Sequence, residues 1–413
     1  MGLITFKKGH IGANLSAHNS FKSFIIFVFM LLMTTSGAMA EVIDGLNYDL
    51  NSKTKTAILL PKKVGKYSGN IVVPKKVKRN NGVEYVVTSL GDNCFYSCYD
   101  LTSIIIPSSV TSLGRSCFSY CTRLASITIP SSVTSLGDEC FSYCTRLASI
   151  TIPSSVTSLG NYCFSHCGGL TSITIPSSVT SLGDYCFRDC TGLTSITIPS
   201  SVTSLGRGCF FYCTRLPSIT IPSSVTSLGD ECFFSCHGLT SITIPSSVTS
   251  LGVRCFFYCT RLPSITIPSS VTSLGVRCFF SCNSLKRMYF EGAKPEKISD
   301  ASIFEECRIY VPAEYLQDYK NALGSQYRYI YSWDPNNPET NINQATTRGI
   351  VASAHDGIVS ISGLDDGEVV KFYAADGKLI GSSSAVDGTA SCAVSETMVI
   401  AKFGGNAIKV AVK

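Results

Sequence analysis

Charged residues are scarce in this sequence. Only 15% of its 413 residues are Asp, Glu, Lys or Arg, and the formal net charge is +6. Lys7, Lys8 and Lys22 belong to a first stretch of forty residues that contains no acid, and without them the net charge falls to +3. Because nucleic-acid-binding domains carry clustered basic residues and a strongly basic balance, we expect no nucleic-acid partner.

Histidine is rare too, and the common catalytic motifs are missing. The chain has five His, and only His166, His237 and His355 follow residue 40. No acid or nucleophile recurs in a fixed position beside them, and the sequence contains neither a glycine-rich phosphate loop nor an H-E-x-x-H motif. We therefore expect no enzymatic activity, no cofactor and no metal site.

Long hydrophobic runs are confined to the N-terminus. Basic residues there precede an apolar run over residues 24–33, and Ala38, Met39 and Ala40 form a small-residue cleavage site. This arrangement is typical of a secretory signal peptide, and the run is well short of the roughly 20 residues that a membrane-spanning helix needs. We predict a signal peptide at 1–40, a mature chain that begins at Glu41, and no transmembrane segment after cleavage.

Most of the remaining chain is one repeated unit. The segment LASITIPSSVTSLGDECFSYC and its variants recur over residues 88–291. The first cysteine of the unit returns every 23 residues, without insertions, in nine units: Cys94, Cys117, Cys140, Cys163, Cys186, Cys209, Cys232, Cys255 and Cys278. A fixed period of this length indicates a solenoid, in which each unit forms one coil that packs on its neighbours.

Each unit has the pattern of one short strand followed by turns. Alternation in L-x-x-I-x-I predicts a strand whose inward side chains share one core. A proline follows in eight units and is expected to end the strand, because it has no N–H. We expect the glycine of the next Leu-Gly pair to permit a sharp bend, and C-F-x-x-C to form a single helical or 3₁₀ turn. One unit buries too few apolar side chains to offset the entropy of ordering it, so the units must stack.

The unit L-x-S-I-T-I-P-S-S-V-T-S-L-G-x-x-C-F-x-x-C resembles the leucine-rich repeat of the BspA type, found in surface proteins of Gram-negative anaerobes. Ser132, Ser155 and Ser178 stand where the usual leucine-rich repeat has Asn, and the first cysteine stands where this type usually has Ala. The resemblance implies an α/β repeat solenoid: a right-handed coil with a parallel β-ribbon and short helical or 3₁₀ turns. It also implies a protein that is secreted or displayed on the outer surface of a Gram-negative bacterium.

The flanks of the repeats fit the same organisation. Residues 41–87 and 292–332 look like the atypical caps that cover the open apolar ends of a solenoid. The polar stretch 333–347 is predicted to be a linker. Residues 348–413 alternate as short strands and are similar to the small all-β sandwich that sorts proteins in the type IX secretion pathway. A small accessory β domain with no sorting role is the alternative.

Eighteen cysteines fall in the repeats, two in each unit, and an exported protein with so many would ordinarily form disulfides. Cys117 and Cys121 are four residues apart, which on one helical turn separates their Cβ atoms by about 5–6 Å, more than the roughly 3.5–4.5 Å of a disulfide. We expect buried, mostly reduced thiols that pack as small apolar residues. Disulfides between neighbouring coils and a metal site are the two alternatives.

Outward-facing hydroxyl residues form the first part of the candidate binding surface. Stacking aligns a threonine row: Thr128, Thr151, Thr174, Thr197, Thr220, Thr243 and Thr266. It also aligns a serine row: Ser126, Ser149, Ser172, Ser195, Ser218, Ser241 and Ser264. High β-propensity and solubility explain these residues without a function; contact with a partner is the functional explanation, and ice binding is a remote variant of it.

Four arginines form the second part. They share the position directly before the Leu that opens the predicted strand: Arg123, Arg146, Arg215 and Arg261. Glycines interrupt the line in three units: Gly169, Gly192 and Gly238. A charged edge ordinarily serves solubility. The functional hypothesis is that this arginine row and the hydroxyl rows together contact an extended anionic or glycan-bearing partner.

The leading functional hypothesis is an adhesion scaffold that binds a host or neighbouring-cell macromolecule. Resemblance to the BspA type implies binding of extracellular-matrix proteins, and the sequence does not identify the partner, which is an extracellular protein or glycan. The alternative is a structural or glycan-binding surface-layer protein with no dedicated protein ligand.

Overall fold

The computed structural model describes residues 40–324, 327, 329–333, 351–355, 357–374, 377–396, 398–403 and 406–412. Residues 1–39 of the predicted signal peptide and all of the predicted linker except Trp333 lie outside the described residues. One continuous hydrophobic core runs from Leu46 to Ile330, and a separate core holds the C-terminal strands together.

The N-terminal end of the solenoid is closed by antiparallel strands. Six strands precede the repeats: β1 (Ala40–Ile43), β2 (Leu46–Asn51), β3 (Thr56–Leu60), β4 (Gly69–Val72), β5 (Lys76–Lys78) and β6 (Glu84–Leu90). Strands β1, β2 and β3 pair antiparallel, whereas β3 pairs in parallel with β6. The buried side chains of Tyr48, Tyr67 and Tyr85 fill this end of the core.

A first ladder of parallel strands contains the Ser-Ile-Thr segments. Its members in the repeats are β7 (Leu101–Ile105), β9 (Ser126–Thr128), β11 (Ser149–Thr151), β12 (Ser172–Thr174), β14 (Ser195–Thr197), β16 (Ser218–Thr220), β18 (Ser241–Thr243) and β20 (Ser264–Ile267). The ninth member is β22 (Arg287–Phe290), at the end of residues 88–291, and the ladder continues beyond the repeats through β23 (Arg308–Pro312) and β24 (Ile330–Trp333). The repeats therefore contain nine strands of this ladder, one for each of the nine units.

This ladder is not the continuous ribbon that the sequence predicts. Its strands are joined as the pairs β4–β7, β9–β11, β12–β14 and β16–β18, followed by the four-stranded group from β20 to β24. Pro217 immediately precedes β16 and Pro263 immediately precedes β20. Because proline has no N–H, it cannot donate a hydrogen bond to the preceding coil. The ladder is therefore interrupted between β14 and β16 and between β18 and β20.

A second parallel ladder, which the sequence analysis missed, is built from the Ser and Leu of the Ser-Leu-Gly segment in each unit. Its strands are β8 (Ser112–Leu113), β10 (Ser135–Leu136), β13 (Ser181–Leu182), β15 (Ser204–Leu205), β17 (Ser227–Leu228), β19 (Ser250–Leu251) and β21 (Ser273–Leu274). Single bridges through Leu159 join β10 to β13. The leucines are buried, so each coil is fastened to its neighbours on two sides.

The C-F-x-x-C segments are tandem β-turns, which corrects the predicted helical or 3₁₀ turn and the α/β class. In one unit the N–H of Cys140 donates to the carbonyl of Gly137 at 3.2 Å, and the third residue of that turn, Glu139, has φ 56°. The N–H of Phe141 instead donates to the carbonyl of Cys163 in the next coil at 2.8 Å. Because alternate N–H groups bond along the solenoid, no helix can form here.

The glycine of each Leu-Gly pair also has a role other than the predicted one. These glycines do not adopt positive φ values. A Cβ atom on Gly183 would lie 2.7 Å from the backbone nitrogen of Asn161 in the preceding coil, and one on Gly252 would lie 2.4 Å from that of Asp230. In most units glycine is required because neighbouring backbones approach too closely for any side chain, and not because the chain bends. Gly229, where a Cβ atom would have its nearest neighbour at 3.3 Å, is an exception.

Phenylalanine and serine ladders complete the repeat core. The buried phenylalanines stack with ring centroids 5.2 to 5.7 Å apart in one column: Phe95, Phe118, Phe141, Phe164, Phe187, Phe210, Phe233, Phe256 and Phe279. The hydroxyl of Ser178 donates to the carbonyl of Val156 in the preceding coil at 2.6 Å, and Ser132 and Ser155 make the equivalent bond. Serine at the usual Asn position thus supplies a hydrogen bond between coils.

The C-terminal end of the solenoid is closed by the helix α1 (Leu316–Leu323), whose buried Tyr319 and Leu323 face the core. Two 3₁₀ turns, Ile298–Ala301 and Ala313–Tyr315, precede it. These three elements are the only helices among the described residues, and none is long and apolar enough to cross a membrane. The repeats themselves contain strands and turns.

The C-terminal region consists of two antiparallel sheets. Its strands are β25 (Val351–His355), β26 (Ile358–Ser362), β27 (Val369–Ala374), β28 (Leu379–Ser384), β29 (Thr389–Ala393), β30 (Met398–Phe403) and β31 (Asn406–Ala411). One sheet has the order β25–β26–β29 and the other β28–β27–β30–β31. Val359, Phe372 and Val399 lie in the core that both sheets share, an arrangement compatible with the predicted sandwich.

Candidate functional site

The hydroxyl rows lie on the outward side of the first ladder. Ser126 pairs with Ser149 and Thr128 with Thr151, and the same register holds between β12 and β14 and between β16 and β18. The inward Ile between each Ser and Thr packs against the core. We call the two rows together the strand face.

Exposure changes along the threonine row. The first six threonines are exposed and Thr266 is half-buried. Thr266 pairs with Tyr289, which pairs with Tyr310 in turn, so aromatic side chains continue the row from the last strand of the repeats into the C-terminal cap. Tyr289 and Tyr310 stack with centroids 4.8 Å apart, and Trp333 packs edge-on against Tyr289. Tyr289, Tyr310 and Trp333 are buried, so the exposed part of the strand face ends at the last repeats.

The arginine row is exposed but does not form one continuous stripe. Arg123 and Arg146 lie in adjacent coils, and Arg123 is paired with Asp100 at 3.1 Å. Because neighbouring strands lie about 4.8 Å apart, the three coils from Arg146 to Arg215 separate them by roughly 14 Å, more than the screening length of about 8 Å at physiological ionic strength. The charges of Arg146 and Arg215 therefore act largely independently of each other.

The interruptions of the arginine row are set by the backbone. A Cβ atom on Gly169 would lie 2.7 Å from the carbonyl oxygen of Thr145, and one on Gly192 would lie 2.2 Å from that of Gly168. A Cβ atom on Gly238 meets the carbonyl of Thr214 at 2.6 Å. These coils therefore have no room for an arginine at that position.

A second surface, whose aromatic residues the sequence analysis missed, lies along the turns of the later coils. Phe211, Phe234, Phe257 and Phe280 stack with successive centroid distances of 4.5, 4.7 and 4.9 Å. The guanidinium carbon of Arg254 lies 5.8 Å from the centroid of Phe257, and that of Arg277 lies 5.9 Å from the centroid of Phe280. We call these six residues the aromatic–arginine face. Phenylalanine at the same position in four consecutive units is the signal that could have revealed it.

The repeat cysteines form two buried columns of free thiols. In the second column, the thiols of all cysteines from Cys121 to Cys282 donate to the carbonyl of a phenylalanine in the preceding coil, as Cys167 does to Phe141 at 3.1 Å. Burial raises the pKa of Cys236 and Cys282 to about 12 and raises the pKa of Cys140 well above its usual range. Because the thiolate is the reactive form, these thiols are chemically inert in the folded chain.

His166 has partners that the sequence did not indicate. Its Nδ1 lies 2.8 Å from the hydroxyl of Ser165, and its Nε2 lies 3.4 Å from a carboxylate oxygen of Asp189 in the next coil. Burial lowers the pKa of His166, Arg188 acts in the same direction, and Asp189 opposes both. A shallow cavity of about 240 Å³ lies beside the ring, but Ser165 is only 1% exposed, so its hydroxyl is not available as a nucleophile.

The side chains that could ligate a metal are scattered. Across the residues that the structure describes, no three His, Cys, Asp or Glu side chains converge on a point that could hold a metal ion.

Stacked coils with two parallel ladders and a phenylalanine column define a leucine-rich-repeat solenoid. The family model of the BspA type leucine rich repeat region matches residues 88–216 and 180–310, which together span more than half of the chain. The protein therefore belongs to the BspA-type leucine-rich-repeat family, and these matches indicate no catalytic family.

Solved structures agree with this assignment. A leucine-rich repeat protein from Bacteroides ovatus is 27% identical, with a TM-score of 0.57 over 70% of this chain and 81% of that one. A leucine rich cell surface protein from Faecalibacterium prausnitzii is 26% identical, with a TM-score of 0.50 over 75% of this chain and 98% of that one. No curated protein sequence matches the chain.

Proposed function

We propose that this protein is an exported cell-surface scaffold that adheres to a macromolecule of a host or of a neighbouring cell. The observation that carries the proposal is the strand face, where exposed hydroxyls repeat in register from coil to coil. Two ladders and a continuous core hold these hydroxyls on regular elements, which lowers the entropy lost when a partner binds. The resemblance to a cell surface protein of Faecalibacterium prausnitzii supports a location outside the cell.

The predicted signal peptide at 1–40 and the C-terminal sheets complete this proposal. The signal peptide directs export, and residues 348–413 act as a sorting domain of the type IX pathway that delivers the protein to the outer surface. The antiparallel sheets with their own core support a separately folded C-terminal unit.

A structural or glycan-binding surface-layer protein is the second candidate. The strand face favours it in one respect, because rows of uncharged hydroxyls can exchange hydrogen bonds with the hydroxyls of a polysaccharide. Binding of the full mature chain to a panel of purified extracellular-matrix proteins, compared with a glycan array, distinguishes the two candidates. Binding to neither would contradict both.

The arginine row makes a testable contribution to partner binding. Replacing Arg146, Arg215 or Arg261 by Ala should weaken the strongest interaction found in the panel by roughly threefold each at low salt, because exposed charges contribute little individually. Arg123→Ala should matter less, since Asp100 already neutralises that guanidinium. Biolayer interferometry at two salt concentrations measures both effects, because added salt shortens the screening length.

The control removes a positive charge from the N-terminal cap, away from the arginine row. Lys53→Ala and Lys62→Ala change exposed cations of the N-terminal cap and should leave affinity unchanged. If the quadruple arginine variant folds normally and binds as tightly as the parent protein at low salt, the row only maintains solubility.

Deleting residues 348–413 should abolish surface display while leaving the thermal midpoint of the repeats nearly unchanged. The two cores are separate, and the ion pair between Arg308 and Asp365 spans 3.8 Å with Asp365 82% exposed, so it stabilises by less than about 1 kcal/mol. Calorimetry of the purified proteins and protease accessibility on whole cells measure the two readouts. A drop of more than a few degrees would show that the C-terminal unit supports the solenoid.

A further inference from the structure

The early coils can be compared with the later coils at the position that carries the phenylalanines of the aromatic–arginine face. The residue after the core phenylalanine is Ser119, Ser142 or Ser165 in three consecutive early coils, and all three serines are buried. Four consecutive later coils carry phenylalanine at that position, with Phe280 40% exposed. Because the fold accepts serine there, the coil does not require an aromatic ring, and partly exposed apolar side chains in a row mark an interaction surface.

Charge within the coils of this face is one-sided, as far as Asp300 of the C-terminal cap, whose backbone carbonyl accepts from the N–H of Arg277. Residues 232–290 contain no acid, whereas Arg254, Arg261, Arg277, Lys286 and Arg287 all lie within that stretch. The nearest preceding acid is Glu231, which is buried and accepts from the hydroxyl of Tyr185 at 2.9 Å.

Glu231 also organises the arginines beside it. Its carboxylate lies 3.2 Å from a guanidinium nitrogen of Arg207 and 3.5 Å from one of Arg254. The Arg254 side chain is thereby held over the ring of Phe257. Arg277, one coil beyond Arg254, is exposed and lies over Phe280.

The geometry of the rings narrows the class of partner. A sugar ring would stack on an aromatic face, but here the faces are turned towards neighbouring rings, with interplanar angles of 7° to 18°, or towards guanidinium groups. The ring edges, which point outward, carry partial positive charge. Edges and guanidiniums together favour a partner with apolar side chains and carboxylates, and they repel a second copy of the same basic surface.

We propose that the aromatic–arginine face is a docking site for an acidic, apolar segment of a partner protein. Aromatic residues and arginine, with no lysine, are the composition that dominates the energetics of protein–protein contacts. The proposal deepens the proposed binding function by naming a partner class, and it uses a surface separate from the strand face.

A phage-displayed random peptide library selected against the full mature protein tests the proposal. Selected peptides should combine aromatic or aliphatic residues with Asp or Glu. In fluorescence anisotropy with synthetic copies, the double variant Phe257→Ser/Phe280→Ser should weaken binding roughly tenfold or more, as expected for interface hot spots. Arg254→Gln/Arg277→Gln should weaken it and remove most of its salt dependence.

The matched control is Thr174→Ala/Thr197→Ala on the strand face, which should leave peptide affinity unchanged. Circular dichroism confirms folding, and serine is the residue that other coils carry at the phenylalanine position. Failure to enrich acidic peptides, or equal affinity of Phe257→Ser/Phe280→Ser and the parent, overturns the proposal. Either result leaves the panel and glycan-array experiment, which tests the proposed function, free to succeed.

Discussion

Raising the pH from about 8 to about 10 in the presence of a reductant should unfold the repeats. Nineteen cysteines are buried as free thiols. Burial raises the pKa of Cys236, Cys282 and Cys307 to about 12, and it raises those of the fully buried Cys140 and Cys163 well above their usual range. The unfolded chain would expose the same thiols to water, where they ionise near pH 8.5.

The sign and size of this effect follow from proton linkage. A thiol whose pKa is higher in the folded chain contributes its full stability below about 8.5 and loses it as the pH rises towards the folded value. Each pH unit above about 8.5 then removes about 1.4 kcal/mol per thiol. Ten such thiols would offset within one pH unit the whole stability of about 5–15 kcal/mol that folded domains typically possess.

Circular dichroism as a function of pH measures the transition, which should be reversible and unusually steep. Replacing Cys117, Cys140, Cys163 and Cys186 by Ala should make the dependence of stability on pH shallower. Alanine is the residue that the BspA-type repeat usually has at the position of these cysteines. Disulfide-linked cysteines do not titrate. A reduced solenoid that remains folded at pH 10 with a shallow pH dependence would contradict the prediction, whereas the same result obtained only without reductant would point to oxidised columns.

The period, the core and the first ladder could be predicted from the sequence because they depend on side-chain patterning within one unit. A strict recurrence of Cys140, Phe141 and Leu136 every 23 residues leaves few other arrangements. The second ladder could not be predicted in the same way. Its strands are two residues long, as in Ser135–Leu136, which is too short for any alternation to be visible.

The turns were predicted as helical because local spacing resembles a helix. The structure places Tyr143 and His166 at φ 58° and 60°, in the left-handed region that such residues rarely occupy. Hydrogen bonds to the next coil, such as that from the N–H of Tyr143 to the carbonyl of Ser165 at 2.7 Å, stabilise this conformation. These bonds depend on the stacking of coils, so no single unit reveals them.

The candidate site was predicted in part. Exposure of the threonine row followed from period-two alternation, as for Thr128. The separation of Arg146 from Arg215 was visible in the sequence, whereas the backbone contact that excludes an arginine at Gly169 depends on how closely two coils approach. The phenylalanines from Phe211 to Phe280 were overlooked because the core phenylalanine beside each of them explained the aromatic content of the unit.

Replacing Gly183 by Ala should destabilise the solenoid by about 3 kcal/mol, whereas the same substitution at Gly229 should be nearly neutral. Both glycines lie in the identical segment Ser-Leu-Gly-Asp. A Cβ atom on Gly183 would lie 2.7 Å from the backbone nitrogen of Asn161, but one on Gly229 would have its nearest neighbour at 3.3 Å. Urea denaturation of the two variants and the parent protein measures the difference.

The pair isolates the approach of the coils from every local property of glycine. Alanine lowers the entropy of the unfolded chain equally at both positions, by about 0.4–1 kcal/mol, and neither glycine has a positive φ. At Gly183 the added methyl group meets backbone atoms, which cannot turn aside as a side chain can, so the coil must shift and strain its ladders. Equal stability of the two variants would mean that the coils separate easily, and close approach of neighbouring backbones could then not be the reason for glycine at Gly183 and the equivalent positions.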